Sequence, residues 1–154
     1  KDTFKQISDL KNRLTTNKTI KKYNNNTDKL DSITERFEVD NMYIAYQTKV
    51  NGYYPTSFEE AFILTNYKNV FFNSVLKKIK PSIYKDIIKK DKRFKNIKEN
   101  SYKIQRKLTN SKSDFANELL YKLITEAEHM TIPSLPEYIE NGIEWLTKKL
   151  KGDI

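Results

Sequence analysis

The chain has 154 residues, enough for one domain and too few for two ordinary ones. It has no Cys and one His, which excludes a disulfide scaffold, a thiolate zinc site and a cage of imidazole ligands. Its 29 Lys and Arg outnumber its 20 Asp and Glu, for a formal net charge of +9. No apolar run is long enough to span a membrane, and no signal-peptide pattern opens the chain. We therefore expect a piece of a longer cytoplasmic protein.

The positive charge is concentrated in the middle of the chain. Residues 67–112 carry 15 Lys and Arg against 3 Asp and Glu, which is typical of a surface that contacts a phosphate backbone. However, 25 of the 29 cations are Lys, whereas phosphate sites favour Arg, so a merely solvated face stays an open alternative. The candidate nucleic-acid-binding residues are Lys77, Lys78, Lys80, Lys89, Lys90, Lys92 and Arg93.

In the first part of the chain, apolar spacing predicts a helix over residues 3–14. Residues 15–17 can then cap a second short helix. Residues 42–50 are rich in β-branched and aromatic types and predict the one clear strand, which stops at the turn pair Asn51-Gly52. One strand makes no sheet unaided, so the sheet must be completed from outside the chain or by short strands that the pattern does not reveal.

Six more helices are predicted downstream of the strand. The first begins at Ser57, the second carries Phe71 to Ile79 and ends before Pro81, and the third has Pro81 in its first turn. The fourth carries Phe94 to Leu108, the fifth is capped by Ser113 and has an apolar stripe from Phe115 to Ala127, and the last carries Tyr138 to Leu150 and stops at Gly152. The predicted fold class is thus α/β, mostly helical, with one strand at about 42–50 and roughly seven helices. We treat residues 1–154 as a single domain fragment.

Two adjacent carboxylates, Glu59 and Glu60, stand at a predicted helix start just beyond the strand. Oxygen ligands of this kind suit Mg²⁺ or Mn²⁺, so the pair is a candidate metal site. The alternative is structural: Ser57-x-x-Glu60 is a capping box, and acidic residues in a first turn suit the helix dipole. Local sequence favours the structural alternative.

Several other residues carry weaker signals. Lys112 stands just before the predicted cap at Ser113, where a phosphate would find an ammonium group and backbone N–H groups. His129 lies near a helix end and fits a dipole partner or an exposed residue better than a general base. The pairs Tyr53-Tyr54 and Phe71-Phe72 could stack on bases, but aromatic residues at this spacing more often belong to a core.

Four segments are familiar in combination. They are Thr15-Thr16-Asn17-Lys18-Thr19-Ile20, then Ile44 to Ile63 with Asn51-Gly52-Tyr53 and Ser57-Phe58-Glu59-Glu60-Ala61-Phe62, then Lys112-Ser113-Asp114-Phe115-Ala116, and Pro136-Glu137-Tyr138-Ile139 with Gly142, Trp145 and Leu146. In this order they resemble the C-terminal part of the Toprim nuclease domain in OLD-family ATP-dependent endonucleases. Four motifs in register are hard to obtain by chance.

The resemblance implies an ATPase joined to a Toprim domain that cleaves DNA with two divalent metal ions, Mg²⁺ or Mn²⁺. It implies that Glu59 is a metal ligand, with Glu60 as the helix cap, and that Lys112 faces the scissile phosphate. Thr56 stands where the family commonly has a basic residue. The Glu-Gly and Asp-x-Asp elements that supply most metal ligands in the family, and the ATPase motifs, are not found in this chain.

We therefore expect the C-terminal part of a metal-dependent DNA endonuclease that is inactive alone. Its candidate partners are DNA, the rest of its own polypeptide and a second copy of the parent protein. The alternatives are a non-catalytic helical module that binds nucleic acid through residues 67–112 and a protein-interaction piece whose charge only solubilises it. An upstream Walker A, Glu-Gly and Asp-x-Asp in the reading frame would decide among them.

Overall fold

The computed structural model describes residues 6–33, 37–88, 90–126, 128 and 130–152. These residues form a two-stranded hairpin and eight α-helices, so the prediction of a mostly helical fold is confirmed. The elements are α1 (Lys18–Tyr23), β1 (Phe37–Val39), β2 (Met42–Ile44), α2 (Phe58–Asn66), α3 (Val70–Ile79), α4 (Pro81–Asp86), α5 (Arg93–Glu99), α6 (Ser101–Leu108), α7 (Lys112–Glu126) and α8 (Glu137–Lys151). None of the helices in these ranges is long and apolar enough to cross a membrane.

The helix predicted over residues 3–14 is wrong for its described part, residues 6–14. Asp9 accepts a hydrogen bond from the backbone N–H two residues later at 2.9 Å, a local bond that competes with helical pairing. The N–H of Tyr54 donates to the carbonyl of Ile7 at 2.6 Å, so Ile7 forms an isolated bridge to a distant part of the sequence, and Leu14 forms another to Lys29. Pairing across the fold therefore overrides the helical spacing.

The hairpin replaces the single strand predicted over residues 42–50. Only Met42–Ile44 is a strand, and it pairs antiparallel with Phe37–Val39, a short strand that the pattern did not reveal. Beyond Ile44 the described chain offers no strand that continues the ladder, so the strand ends there. Asn51 and Gly52 have φ values of 49° and 95°, which confirms the predicted turn, because a tight hairpin turn of this type needs positive φ at both central residues.

One apolar core is shared by the helices from α2 to α7. Phe71 and Phe72 are 1% and 0% exposed, so they belong to the core and do not offer a surface to bases. Pro81 opens α4 and Gly152 ends α8 in the left-handed region, as predicted. The buried cluster consists of Phe62, Ile63, Phe72, Leu76, Ile83, Ile87, Ile88, Ile97, Ile104 and Leu108.

Two helix boundaries differ from the prediction. The helix predicted near Phe94 is two helices, α5 and α6, because Asn100 between them has a non-helical backbone and its side chain donates to the α5 carbonyl four residues earlier at 2.9 Å. Helix α7 begins at Lys112, directly after a 3₁₀ turn at Thr109–Ser111. Ser113 therefore lies inside the helix, and its assignment as the cap is wrong.

The predicted apolar stripe of α7 is buried only in part. Phe115 and Leu119 pack against the core. Leu120 and Ile124 are 58% and 76% exposed, although they were expected on the same buried face. Ala127, the last member of the stripe, lies outside the described residues.

Helix α8 packs against the hairpin. The Trp145 ring stacks on Tyr43 at 5.5 Å between centroids, and its Nε1–H donates to Glu38 at 2.6 Å. Gly142 brings the helix backbone close to β2, because a Cβ at this position would lie 3.4 Å from the Cβ of Ala45. The Gly and Trp of the fourth motif thus serve as contacts between helix and hairpin.

Tyr84 joins α4 to α3 through a partly buried hydrogen bond. Its hydroxyl lies 2.6 Å from the side-chain oxygen and 2.8 Å from the carbonyl oxygen of Asn73. Burial raises the pKa of Tyr84 to about 12, against the opposing positive charge of Arg93. The phenol is therefore a protonated donor at neutral pH.

We predict that Tyr84→Phe lowers the free energy of unfolding by about 1–2 kcal/mol, because the buried Asn73 then loses a hydrogen-bond donor. Urea denaturation measures the change. The matched control is Tyr121→Phe, at a ring 61% exposed, which should change the stability by less than about 0.5 kcal/mol. Equal effects of the two substitutions would mean that the hydrogen bond of Tyr84 does not stabilise the fold.

Candidate functional site

The two adjacent carboxylates lie in the first turn of α2. Ser57 is the N-cap of this helix, and its hydroxyl accepts the N–H of Glu60 at 3.2 Å, as the capping-box pattern predicted. Residues one position apart on a helix point about 100° away from each other. Glu59 and Glu60 therefore have different surroundings.

Glu60 points into the protein and is 0% exposed. One of its carboxyl oxygens accepts both the backbone N–H and the hydroxyl of Thr56, each at 2.8 Å. The other accepts the hydroxyl of Ser101, the first residue of α6, at 3.0 Å. Both oxygens are thus engaged inside the fold, which supports the cap assignment for Glu60 over that of a metal ligand.

Glu59 points outward and meets Lys112, the first residue of α7. The Lys112 Nζ lies 2.6 Å from the Glu59 Oε1, and the two side chains are 45% and 28% exposed. The two residues come from separate motifs far apart in the sequence. The structure therefore brings together the proposed metal ligand and the proposed phosphate contact.

The charge state of Glu59 follows from this contact. Partial burial alone would raise the pKa of its carboxyl group. Hydrogen bonds from Lys112, from its own backbone N–H and from Ser57, together with the charge of Lys112, outweigh burial and hold the pKa of Glu59 below its ordinary value. Glu59 is accordingly ionised at neutral pH and forms an ion pair with Lys112.

A chain of three aromatic rings connects the helices that carry this ion pair. Phe62 follows Glu59 by one turn of α2, and Phe115 follows Lys112 by one turn of α7. Both rings contact Phe72 of α3 edge to face, at centroid distances of 5.7 and 5.8 Å. The core therefore sets the relative position of the two charged side chains.

The described residues do not form a complete metal site. Across residues 6–33, 37–88, 90–126, 128 and 130–152, no group of three or more His, Cys, Asp and Glu is placed to hold a metal ion. Glu59 supplies a single accessible carboxylate, which by itself does not fit the coordination that Mg²⁺ or Mn²⁺ needs. Further ligands would have to come from outside this part of the chain.

A cleft of about 770 Å³ opens beside the start of α2, and sequence reasoning missed it. Thr15 and Asn17 of the first motif line it, and so does Thr56. Arg13 and Lys49 are the charged residues in its lining, which includes no carboxylate among the described residues. The only signal in the sequence is that residues of three of the four motifs meet here, since Tyr138 of the fourth motif also lines the cleft.

Two of the candidate nucleic-acid-binding residues have partners within the described chain. Lys78 forms an ion pair with Glu118 at 2.8 Å, and Arg93 covers the ring of Phe94 at 4.6 Å. Lys77, Lys78, Lys92 and Arg93 are exposed and Lys80 is partly buried, whereas Lys89, the side chain of Lys90 and His129 lie outside the described residues. Nucleic-acid binding by this set stays a prediction.

Comparison with known proteins gives one close relative. The chain is 62% identical over 154 residues to the Endonuclease GajA of Bacillus cereus (strain HuB5-5), a match that covers 99% of this chain. The chain spans only 22% of the length of that relative. No family model matches the chain. No solved structure matches it either.

We predict that the two neighbouring carboxylates differ sharply in their contribution to stability. Glu60→Ala should lower the free energy of unfolding by about 2–3 kcal/mol, because it leaves the buried hydroxyl of Ser101 without its acceptor and removes the acceptor of the two Thr56 donors. Glu59→Ala should cost less than about 1 kcal/mol, since it removes a partly exposed ion pair. Thermal and urea denaturation provide the comparison, and equal losses would contradict the inward and outward placement of the pair.

We also predict that Lys112→Ala raises the pKa of Glu59. The substitution removes the hydrogen bond and the positive charge that lower this pKa, whereas burial still raises it. Because the pKa of Glu59 is lower in the folded chain than in the unfolded chain, its ionised carboxylate stabilises the fold at pH values above the unfolded pKa. This contribution disappears as the pH falls through the folded pKa. Side-chain carboxyl NMR over an acid titration measures the shift. Lys107→Ala, which removes a looser 3.7 Å contact to Asp86, is the control and should leave Glu59 unchanged.

Proposed function

We propose that this chain is part of an endonuclease, in which Glu59 and Lys112 belong to the site that cleaves the phosphodiester bond. The 2.6 Å contact between them is the observation that carries the proposal. One motif predicts a metal ligand and the other predicts a phosphate contact, and the two residues meet at one place. The 62% identity to Endonuclease GajA supports the reaction class. The motif resemblance supports the finer assignment, the C-terminal part of a Toprim domain in an OLD-type, ATP-dependent enzyme.

Lys112 is the residue suited to contact the substrate phosphate. An ammonium group has three donors, and Glu59 takes one, so the others can donate to phosphate oxygens. Its 45% exposure leaves the group within reach of a ligand on the surface. Negative charge that grows on the phosphate during cleavage would be stabilised by this positioned positive charge.

Glu59 has two roles in the proposed site. Before substrate arrives, its carboxylate holds the flexible Lys112 side chain in a fixed direction at 2.6 Å. Its other oxygen can serve as one ligand of a divalent cation whose remaining ligands would come from outside the described residues. Such an ion, when bound, supplies charge stabilisation to the attacking and leaving oxygens.

We predict that Lys112→Ala in the full-length protein lowers the single-turnover rate of DNA cleavage by roughly 10²–10³, as for other preorganised electrostatic groups. Its stability should change by less than about 1 kcal/mol, because a partly exposed ion pair contributes little. Lys112→Arg should restore only part of the rate, since a planar guanidinium does not replace a compact ammonium group.

Lys107→Ala is the matched control, because Lys107 is 38% exposed and also forms an ion pair. It should leave the cleavage rate unchanged. Wild-type cleavage by Lys112→Ala, with an unchanged melting temperature, would end the catalytic assignment. A large fall in melting temperature would instead identify the Glu59–Lys112 ion pair as a structural contact.

A further inference from the structure

Ser101 has a buried hydroxyl group next to the candidate site, although none of the four motifs contains this residue. It is the first residue of α6 and is 0% exposed. Its hydroxyl donates to the Glu60 Oε1 at 3.0 Å, and Glu60 is itself 0% exposed. Two buried side chains thus join the start of α6 to the first turn of α2, one residue away from Glu59.

The side chain of Gln6 fixes the direction of this hydrogen bond. Its Nε2 lies 3.2 Å from the Ser101 Oγ and 2.7 Å from the carbonyl oxygen of Lys98, in the last turn of α5. An amide nitrogen can only donate, so the Ser101 oxygen accepts from Gln6 and keeps its own proton for Glu60. Ser101 is therefore held as a donor to the carboxyl group.

The segment that begins at Ser101 leads directly to Lys112. Helix α6 ends at Leu108, and the 3₁₀ turn Thr109–Ser111 passes without a break into α7, whose first residue is Lys112. Helical turns have a fixed rise per residue, so this segment holds its two ends at a set separation. It is tied to the first turn of α2 at two points, the buried Ser101–Glu60 hydrogen bond and the Lys112–Glu59 ion pair at 2.6 Å.

The two ties differ in stiffness. Both side chains of the Ser101–Glu60 hydrogen bond are enclosed by the fold, whereas Lys112 is a long side chain that is 45% exposed. A shift of about 1 Å in a group that takes part in a reaction can cost about 100-fold in rate. The buried hydrogen bond is therefore the contact that can set the position of the ion pair closely enough for chemistry.

We propose that Ser101 is a positioning residue of the cleavage site. Through Glu60 it holds the first turn of α2 at the separation from Lys112 that the ion pair needs. The inference rests on the proposed function, because the Glu59–Lys112 contact defines the site on which Ser101 would act. The alternative is that the hydroxyl of Ser101 only stabilises the fold, and the two alternatives differ in what its loss does to cleavage by a folded protein.

Ser101→Ala in the full-length protein should lower the single-turnover rate of cleavage at saturating DNA by about 10-fold, because Glu59 and Lys112 lose their set separation. The DNA concentration that gives half of the maximal rate should change by less than about 2-fold, since a buried residue does not touch the substrate. Tyr84→Phe is the control, because it also removes a hydroxyl group from the core, but one that joins α4 to α3. It should lower the melting temperature, as Ser101→Ala does, and leave the cleavage rate unchanged.

A double-mutant cycle with Lys112→Ala separates positioning from folding. If Ser101 acts through the ion pair, Ser101→Ala should change the rate of the Lys112→Ala protein by less than about 2-fold, whereas independent effects would multiply. Gln6→Ala removes the partner of Ser101 at a partly buried position and is the milder variant for the same cycle should Ser101→Ala fail to fold. It should lower the rate several-fold in the wild-type protein and not in the Lys112→Ala protein.

The outcomes distinguish this inference from the proposed function. A wild-type rate for Ser101→Ala, or for Gln6→Ala where it takes its place, would overturn the role of Ser101. So would a loss of rate that Tyr84→Phe shares, or one that persists undiminished in the Lys112→Ala protein. An unchanged rate for Lys112→Ala alone would instead end the proposed function, and the role of Ser101 with it.

Discussion

The buried carboxyl group of Glu60 is the constraint on which the rest of this structure depends. With no exposure to solvent, it must exchange its hydrogen bonds to water for hydrogen bonds inside the fold. Thr56 and Ser101 provide the donors, and the described chain leaves no buried side-chain nitrogen or oxygen without a partner. Because Thr56 precedes α2 and Ser101 opens α6, satisfying this one group sets the start of α2 against α6.

The geometry of the candidate site follows from that placement. A helix that buries Glu60 turns the preceding residue, Glu59, toward the surface. The ring contacts of Phe72 with the neighbouring helices then bring the first turn of α7 within reach, and Lys112 completes the ion pair. A buried polar network and an aromatic core thus support a charged pair that is itself open to ligands, which is the arrangement that a preorganised site requires.

Among the described residues, the hairpin and α8 contribute none to the buried cluster that the helices from α2 to α6 share. A two-stranded hairpin is at best marginally stable alone, so the stacking of Trp145 on Tyr43 and the close approach of Gly142 matter to both elements. The same helix keeps several apolar side chains in solvent. The fold thereby leaves two surfaces of different character: a polar one at the Glu59–Lys112 ion pair and an apolar one along α8.

Local chemistry determined the features that the sequence by itself predicts correctly. The cap at Ser57, the Asn51-Gly52 turn and the stop at Gly152 each depend on groups within a few residues of one another, so the pattern alone decides them. The bridge of Ile7 to Tyr54 and the meeting of Glu59 with Lys112 depend on partners far along the chain, as does which half of the α7 stripe is buried. Motif resemblance selected Glu59 and Lys112 separately, but only the tertiary structure placed them in contact. The physical reason is that hydrogen bonds and packing between distant segments outweigh local propensity wherever the two compete.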